Sequence, residues 1–79
     1  MKYEVGQLVK FNCDGLNGFG VIVEICKNNN NYLVELQGEF RGRGHDGNGA
    51  SQKVYHTDDY WWIKDRHIEY SLIGNKVVR

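Results

Sequence analysis

The chain has 79 residues, enough for one domain and close to the lower size at which a single core holds without disulfides or a metal. A hydrophobic fraction of 41% with 13% aromatics excludes a disordered chain, and ten Lys plus Arg against ten Asp plus Glu exclude a global field that would draw it onto duplex DNA or an anionic membrane. Ten glycines without a proline favour short strands and tight turns, since glycine takes positive φ at little cost and proline would interrupt sheet pairing.

A first strand is expected from Val5 to Phe11, with Val5, Val9 and Phe11 on one face and Leu8 on the other. Residues 13–18 concentrate Asp, Asn and Gly and predict a loop. Residues 19–26 form the clearest strand, with Val21, Val23 and Ile25 on one face and Ile22, Glu24 and Cys26 on the other. Asn28 to Asn31 make a polar loop into a third strand that alternates Tyr32, Val34 and Leu36, so the two strands read as a hairpin.

Residues 38–53 then hold five glycines and only two apolar side chains, Phe40 and Ala50. A loop of that length inside a small domain is usually functional or mobile, which makes it the first place to look for a site. Tyr60 to Ile63 restore strand character, residues 64–67 suit one 3₁₀ turn, and Ile68, Glu69 and Tyr70 begin a final strand. Gly74-Asn75 either closes a small terminal hairpin or leaves a frayed tail.

The expected fold is therefore all-β: a small five-stranded SH3-like barrel over residues 1–79, with a long glycine-rich loop and a short 3₁₀ turn before the last strand. An OB-fold is second, because it ordinarily needs more residues and a helix where this chain has the glycine-rich segment. Cys13 and Cys26 lack the C-x-x-C spacing of a zinc or redox motif. The N-terminus has no apolar signal core and no run approaches a membrane span, so a cytoplasmic protein with reduced thiols is expected.

Val5-Gly6, Gly18-Phe19-Gly20-Val21, Gly44-His45-Asp46-Gly47, Trp61-Trp62 and Ile68, taken in order, resemble a group of small SH3-like proteins of tailed bacteriophages and prophages. In that group a Gly-His-Asp-Gly or Gly-His-Asn-Gly loop precedes an aromatic strand. The likeness spans about residues 5 to 70 and implies origin and fold more than chemistry, since most such proteins have no assigned activity. The Gly18 to Val21 strand opening also looks like KOW-type and Tudor-type modules, which bind RNA, peptides or modified side chains.

Arg41 and Arg43, flanked by glycines, suit contacts with phosphate or carboxylate oxygens. Adjacent strand residues face opposite ways, so only one of Trp61 and Trp62 faces the core, and the other is a candidate contact residue. His45 and Asp46 are read as hydrogen-bonding the loop backbone and holding its shape. His45, His56 and His67 lie eleven apart without metal-ligand spacing, and no nucleophile accompanies them, so neither a metal, a cofactor nor catalysis is expected.

The leading expectation is a non-enzymatic phage-type or prophage-type accessory protein that binds a protein partner, with host-directed or anti-defence inhibition as one version. Its surface comprises Phe40, Arg41, Arg43, His45, Asp46, Asn48, Tyr55, Tyr60, Trp61 and Trp62. The alternative is a weak single-stranded nucleic-acid binder, in which bases stack on the aromatic strand. A monomer or weak dimer without membrane attachment is expected in both cases.

Overall fold

Antiparallel strands in a single sheet account for nearly all regular structure in a computed structural model that describes residues 3–40, 42–44, 59–73 and 76–78. They are β1 (Leu8–Cys13), β2 (Leu16–Cys26), β3 (Asn31–Leu36), β4 (Tyr60–Lys64), β5 (Ile68–Ile73) and β6 (Lys76–Val78). Their order across the sheet is β4-β3-β2-β1-β5-β6. The five expected strands are present, and the terminal hairpin adds β6 as a short sixth. Two 3₁₀ turns, Gly38–Phe40 and Asp65–His67, complete the described elements.

Four local features differ from the sequence reading. The first strand starts at Leu8, because Glu4 to Gln7 form a turn closed by the Gln7 amide donating to the Glu4 carbonyl at 3.2 Å. Gly6 takes φ +96° there, and Val5 is 59% exposed instead of sharing the buried face.

The expected loop at residues 13–18 is a two-residue hairpin turn. Asp14 (φ 53°) and Gly15 (φ 86°) both adopt the left-handed region while Cys13 pairs with Leu16. This Asp-Gly turn follows the right-handed twist of the strands, so pairing continues to its edge.

In β2, a bulge between Ile22 and Glu24 interrupts the expected alternation. Ile22 and Ile25 therefore both turn to the core, while Val21 and Glu24 pair with Glu35 and Leu33 on the other face. Asn31, expected in the loop, is the first residue of β3 and pairs with Cys26.

The core gathers Val9, Phe11 and Cys13 of β1, Ile22 of β2, Tyr32, Val34 and Leu36 of β3, Ile63 of β4 and Ile68 of β5. Each fully buried aliphatic or aromatic side chain contributes about 1.5–3 kcal/mol by leaving water. Tyr32 is fully buried, yet its hydroxyl donates to Asp65 Oδ1 at 2.5 Å and accepts from the Tyr3 amide at 3.4 Å, so the hydroxyl is not stranded. The Tyr3 ring meets Tyr32 edge-on at 5.8 Å.

Gly20 lies against β3 where there is no room for a side chain. A β-carbon there would stand 2.8 Å from Val34 Cβ, closer than two side chains pack.

Candidate functional site

The chain leaving β3 is fastened to the residue that precedes β4. On leaving β3, the Leu36 amide donates to the Asp59 carbonyl at 2.6 Å, and the Gln37 amide donates to the Phe19 carbonyl at 3.0 Å. After the 3₁₀ turn at Gly38–Phe40, the Gly42 amide donates to Asp59 Oδ1 at 2.6 Å. Gly44 lies against the backbone of Tyr60, and a β-carbon on it would sit 2.9 Å from the Tyr60 nitrogen and still nearer the carbonyl oxygen. Glycine is required there by close approach. Asp59 is 7% exposed, so a buried carboxylate holds Gly42 to the residue that precedes β4.

Arg43 projects between these two anchored glycines and is exposed. Tyr60 is nearly buried, and its hydroxyl donates to Glu35 Oε2 at 3.1 Å. Trp61 packs against the core, whereas Trp62 pairs with Leu33 on the opposite face of β4, which separates the roles of the two tryptophans. The side chain of Phe40 and the residues Arg41, His45, Asp46, Asn48 and Tyr55 lie outside the described residues. Of the expected contact residues, the structure thus gathers Arg43, Tyr60, Trp61 and Trp62 at the loop base and along β4.

A second surface was not foreseen. Leu8, Phe19, Gln37, Gly38 and Leu72 line a shallow apolar groove of about 420 Å³ on the face of β2, β1 and β5 turned away from the core. Phe19 is 37% exposed, and its ring meets Tyr70 edge-on at 6.5 Å. The available signal was Leu8 on the polar side of β1, together with Phe19 at the start of β2, one row away where it pairs with Lys10. Apolar residues on both faces of a strand mark a second buried or binding surface.

Two titratable groups are perturbed at the end of the sheet near Asp14. Burial pushes the Cys13 thiol up; a hydrogen bond from Trp61 opposes this, and the Asp14 carboxylate, which accepts from Cys13 Sγ at 3.6 Å, adds to it. His67 is pushed below its ordinary value by desolvation and by Arg66 and Lys64, with Asp14 acting the other way. Its Nδ1 accepts from the Lys64 amide at 3.0 Å across the second 3₁₀ turn.

Among the described residues, no three His, Cys, Asp or Glu side chains converge as metal ligands, and no helix is long and apolar enough to cross a membrane. No protein-family model, curated protein or solved structure matches the chain.

Proposed function

We propose that this chain is a non-enzymatic protein-interaction module on an SH3-like barrel, of the kind carried by tailed bacteriophages and prophages, with inhibition of a host or defence protein as one version of that role. The observation that carries the reading is the clamp of Asp59 on Gly42. A long loop held at its base by a rigid sheet presents contact residues at low entropic cost, which is how binding loops on β scaffolds work. Arg43 stands on that base, and a guanidinium fork in an exposed position suits carboxylates or carbonyls of a protein surface.

The barrel reading draws support from the strand order. Four strands meander in sequence, and after a 3₁₀ turn β5 returns beside β1. The core joins Ile63 of β4 to Ile68 of β5, strands far apart in the sheet order, as a strongly coiled sheet requires.

Affinity capture from bacterial lysate tests the proposal, with wild type beside the Arg43→Ala, His45→Ala double variant. A protein recovered by wild type and depleted from the variant is expected. Identical recovery by both would remove the loop as the interface. Titration with a single-stranded oligonucleotide at two salt concentrations forms the control arm, since tight binding that falls steeply with salt would replace a protein partner with a nucleic acid.

A further inference from the structure

We infer that the groove beside the loop base seats an apolar side chain from an extended segment of a partner protein, and that this segment carries Lys or Arg next to its apolar anchor. The inference rests on the protein-interaction reading but assigns the contact to a different surface and names the chemistry of the partner.

The floor of the groove follows from strand register. One row across the sheet runs Glu35, Val21, Leu8, Leu72, and the adjoining row runs Phe19, Lys10, Tyr70. Leu8, Leu72 and Phe19 therefore form one apolar strip on three neighbouring strands. A volume of about 420 Å³ lies within the range of sites that take small apolar groups.

The wall is fixed in place. The Gln37 amide is tied to Phe19, and the Gln37 side chain donates to the Glu35 carbonyl at 3.1 Å. Gly38 adds an exposed stretch of backbone without a side chain to block a neighbouring chain.

Charge around this floor selects the partner. Glu35 receives the Tyr60 hydroxyl and faces the Gln37 amide at 3.5 Å; both donors are neutral, so its negative charge persists. Glu39 follows Gly38 in the 3₁₀ turn and is exposed, and Glu69 is 49% exposed. Lys10, an ammonium on this face, is engaged by Asn17 and by Glu69 at 3.5 Å; that ion pair sums to zero, and Glu35 and Glu39 leave the described border acidic. An apolar floor with an acidic border attracts an apolar anchor flanked by basic residues and repels phosphate backbones and anionic lipid.

Selection of short random peptides displayed on a surface tests this with wild type as bait. Enrichment of sequences with Leu, Ile or Phe beside Lys or Arg is expected. The enriched peptides should bind Phe19→Ser, or the Glu39→Lys, Glu69→Lys double variant, about tenfold or more weakly than wild type. The charge variant alters only exposed side chains, so it stays informative if Phe19→Ser folds poorly. Absence of enrichment, enrichment of acidic peptides, or binding unchanged in the charge variant would overturn the inference. Peptides lost on Arg43→Ala but kept by both groove variants would support the loop interface while rejecting the groove.

Discussion

The Gly42 amide and the Asp59 carboxylate, seventeen residues apart, meet at 2.6 Å and tie the chain leaving β3 to the residue before β4. Asp59 is almost fully buried whereas Gly42 is exposed, so losing this acceptor removes the bond and the packing of the buried side chain. Asp59→Ala is expected to lower stability by about 1–3 kcal/mol. Asp59→Asn retains an oxygen acceptor and should lose less. Urea denaturation of the three proteins checks this, and equal midpoints for wild type and Asp59→Ala would show that the clamp contributes nothing.

Gly20 predicts a different kind of loss. Its substitution by alanine forces a methyl group against Val34 Cβ and Cγ2, which lie 2.8 and 2.9 Å from the added carbon, in the middle of the β2-β3 pairing. Overpacking of this kind costs about 1–3 kcal/mol. Glycines 6 and 15 have open space around them, so their difficulty lies in positive φ alone. A thermal melt of Gly20→Ala beside wild type checks this, and equal midpoints would show that β2 and β3 accommodate the added carbon without cost.

The strand pattern was legible in β3, where Tyr32, Val34 and Leu36 alternate, and the opposite facing of Trp61 and Trp62 followed from their adjacency on one strand. The bulge in β2 was not legible. Its run Val21, Ile22, Val23 is apolar at every position, so nothing in the side chains marks where the register slips. Val5 misled for a related reason: it fits the odd-numbered pattern, but Gly6 beside it turns the chain before the strand begins. The groove was hidden because its members, Leu8, Phe19 and Leu72, are distant in sequence and become neighbours only through the placement of β1 between β2 and β5. Most of the proposed loop contacts are carried by residues whose positions strand periodicity cannot constrain.

His67 predicts a pH dependence with a definite sign. As an acceptor from the Lys64 amide it must be neutral at Nδ1, and desolvation with Arg66 and Lys64 nearby lowers its pKa in the fold, with Asp14 opposing. A depressed folded value means that the unfolded chain binds the proton more readily. The stabilisation is present above the ordinary pKa near 6.5 and is lost as pH falls from there through the folded value. His67→Gln should flatten the part of the stability profile just below pH 6.5, relative to wild type. Denaturation midpoints across that interval measure it, and parallel profiles for the two proteins would exclude His67 as the source.

Cys13 and Cys26 should differ in reactivity although both are free thiols. Thiolate is the attacking species, and Cys13 is disfavoured twice: it is 3% exposed, and burial with Asp14 beside it raises its pKa despite the hydrogen bond from Trp61. Cys26, at the hairpin end of β2, is only half-buried. Native protein treated with an aromatic disulfide reagent should therefore show a fast phase from Cys26 and a slow phase from Cys13, the fast one disappearing in Cys26→Ser. In denaturant the two should react alike. A single fast phase for both thiols in the native protein would mean that the β1-β2 turn opens far more readily than its Asp14-Gly15 geometry and paired Cys13-Leu16 closure imply.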